Sequence, residues 1–125
     1  MAIGALTVSH PILALLSHDQ ALCEISESRD KLESLLGQPV PLFAYPNGKY
    51  GTDYNDEHVR MLRSLGFSAA LTTTPGAARE TTDPWQLPRF TPWDRTRLRF
   101  GLRLVDNFRR YGPAAQTAAQ PHKAR

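Results

Sequence analysis

The chain has 125 residues, 41% of them hydrophobic and 22% charged, which are the proportions of one globular domain rather than of a low-complexity or fibrous chain. No run approaches the roughly 18 apolar residues of a membrane-spanning helix, and the first residues lack the basic-then-apolar order of a secretion signal, so composition assigns no compartment. The single cysteine, Cys23, excludes an internal disulfide framework and a multi-cysteine metal site, and its place in a helical pattern predicts a small buried side chain.

Charge is uneven. From Arg89 onward nine Lys or Arg face only two Asp, a net of +7, which leaves −4 for residues 1–88 of a chain whose total is +3. A basic C-terminal segment suits an anionic membrane surface or a solvated helix face. Nucleic acid is not expected as a partner, because the basic residues are not interleaved with exposed aromatics in a recognised motif.

The opening stretch "IGALTVSHPIL" reads as a buried strand feeding a polar turn. Ser17 and Gln20 then stand at capping-box spacing, and Leu22, Ile25, Leu32, Leu35 and Leu36 recur near helical spacing before Gly37, which predicts a helix over about 18–36. "VPLFAYPNGKYG" gives a short strand, Leu42 to Tyr45, halted by Pro46 and followed by a turn at Asn47 and Gly48. "NDEHVRMLRSLG" is a second helix with Val59, Leu62 and Leu65 on one side, and "FSAALTTT" a third strand. "QLPRF" is a brief extended piece broken by Pro88.

"TRLRFGLRLVDNFRRY" is the last helix, with Leu98, Leu102, Val105 and Phe108 expected to pack on the sheet and the arginines facing outward. Residues 1–111 form one partial domain, and 112–125 a disordered basic tail. Strand, helix, strand, helix, strand is the order of an α/β fold with a parallel sheet and covering helices. Ligands bind such sheets beyond the carboxyl ends of the strands, where "TVSHP", "AYPNG" and "LPRFTPWD" concentrate polar chemistry. Arg89 is placed there either to clamp an anion or to pair with Asp94, and Trp93 either as a pocket wall or as core.

The order and spacing of "IGALTVSHPIL", the helix and "VPLFAYPNGKYG" resemble the later part of the polysaccharide deacetylase family, the NodB-homology domain of carbohydrate esterase family four, over about residues 3 to 94. The resemblance implies a partial (β/α) barrel, open here with three or four parallel strands. It also implies a divalent metal, usually zinc, that serves hydrolysis of N-acetyl groups on amino-sugar polymers. The family holds that metal with one Asp and the two His of an H-[S/T]-x-x-H motif. Leu6, Thr7, Val8, Ser9 and His10 match that motif except at its first position, where Leu6 stands for a ligand His. His10 is left as a residual metal ligand, and the family's Asp pair has no counterpart. "AYPNG" resembles a further motif, with Ala44 at its Arg position and Asn47 placed to offer a backbone N–H to the acetyl oxygen.

Tyr45, Pro46, Arg89 and Trp93 are the implied substrate-binding residues. The resulting expectation is a truncated family member that does not bind zinc or another divalent metal on its own and is inactive as an isolated chain. An amino-sugar polysaccharide or oligosaccharide is its ligand, and the open sheet promotes self-association. The alternative is a non-catalytic carbohydrate-binding or membrane-surface module.

Overall fold

Helix α1, His18–Leu36, begins where the sequence supplies a reciprocal cap. The Ser17 hydroxyl accepts the Gln20 N–H at 3.3 Å and the Gln20 side chain accepts the Ser17 N–H at 3.1 Å, which satisfies donors that a helix start leaves open. Gly37, at φ 64°, ends the helix by donating its N–H to the Glu33 carbonyl at 2.8 Å. Ala21, Ile25 and Ser28 form the buried stripe, flanked by half-buried Leu22 and Leu32. Leu35 and Leu36, in the last turn, are exposed. Cys23 is exposed as well, contrary to expectation, because it lies on the opposite side of α1 from that stripe.

The computed structural model describes residues 1–91 and 93–111, so the expected tail lies outside the described residues. Strands β1 (Gly4–Ala5), β2 (Leu42–Ala44) and β3 (Ala69–Leu71) make a parallel sheet in the order β1-β2-β3. Helix α1 crosses from β1 to β2, and α2 (Asp56–Ser64) crosses from β2 to β3, as parallel neighbours require. Phe43 sits between Ala5 and Ala70 in register, so two small side chains leave room for one large one. Its ring meets Tyr45 and Phe67 edge-on at 5.5 Å each, and the buried Leu13, Ile25, Val59 and Leu62 complete the core. The expected open sheet is what forms, with the fourth piece reduced to a bridge between Leu71 and Leu87. Pro88 has no N–H with which to extend it.

Helix α3, Arg97–Tyr111, exists as expected but is turned the other way. None of its residues is buried. Leu98, Leu102, Val105 and Phe108 are 74%, 62%, 56% and 66% exposed, so they do not pack on the sheet. The helix is held instead by its polar side: Arg103 pairs with Asp94 at 2.6 Å, and Arg79 donates to the Tyr111 carbonyl at 2.8 Å. Phe100 reaches Phe90 at 6.4 Å between ring centroids. Leu102→Ala is therefore expected to lower the unfolding free energy measured in urea by no more than about 0.5 kcal/mol, the range of surface substitutions, whereas a buried leucine loses about 2 to 5 kcal/mol.

Helix α2 carries a titratable cap. Asn55 accepts the Glu57 N–H at 2.9 Å, and the buried ring of His58 accepts the Asn55 N–H through Nδ1 at 3.1 Å. Burial pushes the His58 pKa below its ordinary value, a pull that nearby Glu57 and the Leu13 carbonyl only partly oppose. Because the folded state holds the neutral ring, this contribution to stability is complete above the ordinary histidine value of about 6.5. It declines as pH falls from there through the lowered folded value. Urea midpoints should fall between pH 8 and pH 5.5, and His58→Gln, which keeps an acceptor at this position, should flatten that slope. An unchanged slope in the variant would remove His58 as its source.

Candidate functional site

Beyond the carboxyl ends of the three strands lies an open cleft of about 990 Å³. Leu6 and His10 enter it after β1, Tyr45 and Asn47 after β2, and Thr73 after β3. Arg89, Trp93 and the polar side of α3 close the far wall. Five of the six residues proposed from sequence thus share one surface: His10, Tyr45, Asn47, Arg89 and Trp93. Pro46 does not join them, since it is buried behind the loop, where its carbonyl accepts the Gly48 N–H at 2.6 Å.

The β1 turn is held in an unusual shape. Thr7 and His10 have φ of 74° and 58°, a left-handed conformation that costs non-glycine residues energy and persists only when other contacts impose it. Glu24 of α1 supplies those contacts. Its carboxylate accepts the Val8 N–H at 2.8 Å, the Ser9 N–H at 3.0 Å and the Ser9 hydroxyl at 2.7 Å. Burial raises the Glu24 pKa, but the bonds from Ser9 and Val8, with Lys31 nearby, more than offset this and hold the carboxyl below its ordinary range. No short motif announces this clamp, because Glu24 lies 15 residues beyond Ser9 and meets it only through the fold.

The β2 loop is held as firmly. Asp53 accepts the Lys49 N–H at 2.8 Å through its carboxylate, and its carbonyl accepts the Ala14 N–H at 3.0 Å, which ties the loop to the β1 side. Asn47 has φ 56°, its carbonyl accepts the Thr73 hydroxyl, and among the described residues no hydrogen bond occupies its backbone N–H. That N–H is free for an incoming acceptor. Tyr45 is a fixed wall: its ring stacks on Tyr54 at 3.8 Å and its hydroxyl donates to the Trp85 carbonyl at 2.9 Å. Burial pushes the Tyr45 phenol far above its ordinary pKa and lifts that of Tyr54 to about 12, so neither is a proton carrier near neutrality.

Trp93 is 81% exposed, which rules out the core role weighed for it and leaves its ring open to the cleft. Asp94 pairs with Arg103 and not with Arg89, because α3 brings the Arg103 guanidinium to it first. Arg110 is likewise neutralised by Asp106 at 2.9 Å. Among the described residues Arg89 makes no ion pair, so it is the cleft arginine whose charge is uncompensated by a carboxylate.

The polysaccharide deacetylase family model matches residues 1–70, more than half of the chain. The chain belongs to the polysaccharide deacetylase family. A Bacillus subtilis protein of the same class, YxkH, is 27% identical over 89 residues, which are 71% of this chain and 30% of that protein. The deacetylase PplD of Streptococcus pyogenes, solved with acetate, superposes with a TM-score of 0.72 at 27% identity, covering 83% of this chain and 43% of its own. A polysaccharide deacetylase from Bacillus cereus, BC0361, gives 0.57 at 25% identity over 70% of this chain and 27% of its own. This chain therefore spans less than half the length of these relatives.

A deacetylase metal centre does not fit the donors present. Among the described residues no three His, Cys, Asp or Glu side chains gather to hold an ion. His10 faces the cleft beside Leu6, which is 40% exposed and has no lone pair to donate. The nearby Thr7 hydroxyl is buried without a hydrogen-bond partner, and a neutral hydroxyl is a poor substitute for imidazole or carboxylate. His18 is engaged elsewhere, with Glu57 at 2.6 Å, and His58 caps α2.

Proposed function

We propose that the cleft binds N-acetylated amino-sugar polymers and that this chain, by itself, does not hydrolyse them. The observation that carries this reading is the convergence of an unoccupied Asn47 N–H, the open Trp93 ring and the unpaired Arg89 on one cleft in a member of this family. The Asn47 N–H donates to the acetamide oxygen, Trp93 stacks on a sugar face, and Arg89 donates to hydroxyl or acidic substituents. Tyr45 forms the rigid floor between them. Hydrolysis requires in addition a cation that polarises the carbonyl and activates water, for which zinc takes three protein ligands in catalytic centres, and His10 alone does not meet that need.

Titration of the isotope-labelled chain with N-acetylglucosamine oligomers tests the binding. The Asn47 amide and the Trp93 indole resonances should both move, and glucosamine oligomers lacking the acetyl group should leave Asn47 unmoved. Trp93→Ala should abolish the Asn47 shift without loss of fold, since this ring is not part of the core. Oligomers that move neither resonance would overturn the assignment.

A further inference from the structure

Helix α3 presents its polar side to its own domain and its apolar side outward. Arg103, Asn107 and Arg110 line the cleft, while Leu98, Leu102, Val105 and Phe108 are each more than half exposed, with Leu104 alongside. The ordinary economy of a surface helix is the reverse. Something apolar has to cover this face, and the charge around it says what kind.

Arg95, Arg97, Arg99 and Arg109 are exposed and make no ion pair among the described residues, in contrast to Arg103 and Arg110. At 100° per residue Arg97 and Arg109 fall inside the apolar sector itself, at opposite ends of the helix and about 18 Å apart. Their long stems can lie along an apolar surface while the guanidinium groups reach anions at its edge. A second copy packed antiparallel would set these two arginines against each other, and a nucleic acid would offer nothing to the leucines. No helix among the described residues is long and apolar enough to cross a membrane. An anionic bilayer surface satisfies both halves of the pattern: acyl chains for the leucines and phenylalanine, headgroup phosphates for the arginines.

We propose that α3 lies in the interface of an anionic lipid bilayer with its apolar face down, so that the cleft on its other side stays open to solvent. This surface is independent of what the cleft binds. The full 125-residue chain, sedimented with vesicles, provides the test. It should partition onto an equal mixture of phosphatidylcholine and phosphatidylglycerol, bind phosphatidylcholine alone far more weakly, and come off as salt is raised. Arg97→Gln with Arg109→Gln should weaken binding about thirty-fold, the loss expected for two cations at such a surface. Leu102→Asp should abolish it while leaving the fold intact by circular dichroism. Equal binding to both vesicle types, or none to either, would overturn the proposal. So would a concentration-dependent dimer abolished by Leu102→Asp without vesicle binding, which would assign the face to a second copy.

Discussion

Gly48→Ala should destabilise the chain by about 3 kcal/mol and collapse the cleft at the same time. Gly48 has φ 73°, which by itself costs an alanine about 1 to 2 kcal/mol. A Cβ there would also stand 2.8 Å from the Thr73 backbone nitrogen and 3.2 Å from the Thr72 carbonyl carbon, closer than carbon approaches backbone without displacement. Those atoms cannot step aside freely, because the Thr73 N–H donates to the Gly48 carbonyl at 3.1 Å and the Thr73 hydroxyl to the Asn47 carbonyl. Relieving the clash separates the β2 loop from the end of β3 and moves Asn47 out of the cleft. Gly37→Ala is the control: its φ is 64°, with nothing within 4 Å of the added carbon, so only the conformational cost of about 1 kcal/mol applies. Urea unfolding that gave equal losses for the two variants would show that the close approach of β2 loop to β3 is not what fixes this glycine.

The parts of this arrangement that the sequence reveals are those set by neighbours in the chain. The Ser17 and Gln20 cap, the stop at Gly37 and the turn at Asn47 and Gly48 each rest on a few consecutive residues whose backbone demands are specific, and all three form where the pattern puts them. The alternation of strands and helices fixes a parallel sheet for the same reason, since parallel neighbours need crossovers.

What the sequence does not reveal depends on which surfaces meet. Periodicity identifies Leu98, Leu102 and Val105 as one face of α3, but it carries no information on whether that face or the arginine face meets the domain. The Arg103 pair with Asp94 and the Arg79 bond to Tyr111 decide for the latter. Cys23 diverges from expectation on the same ground, because side-chain character predicts burial only when the opposing surface is known. Glu24 is illegible for a different reason: its three acceptor bonds join segments that only the fold brings together. In the cleft the motif positions of His10 and Asn47 are legible, whereas the free Asn47 N–H and the burial of Pro46 follow from packing.

The second large effect concerns metal. His10 is the one motif imidazole in the cleft, Leu6 stands in the other motif position, and no carboxylate completes a triad among the described residues. Leu6→His supplies a second imidazole at the spacing of the family motif, yet two neutral nitrogens without a carboxylate should raise zinc affinity only modestly and create no general base. The Glu24 carboxylate does not step in, since its bonds to Val8 and Ser9 shape the turn that carries His10.

Metal content and acetate release, measured together on the 125-residue chain, test the incomplete centre most directly. After equilibration with zinc and exhaustive dialysis, the chain should retain no stoichiometric metal and release no acetate from N-acetylglucosamine oligomers, with or without added zinc. One tightly held zinc per chain, together with metal-dependent acetate release abolished by His10→Ala, would contradict it.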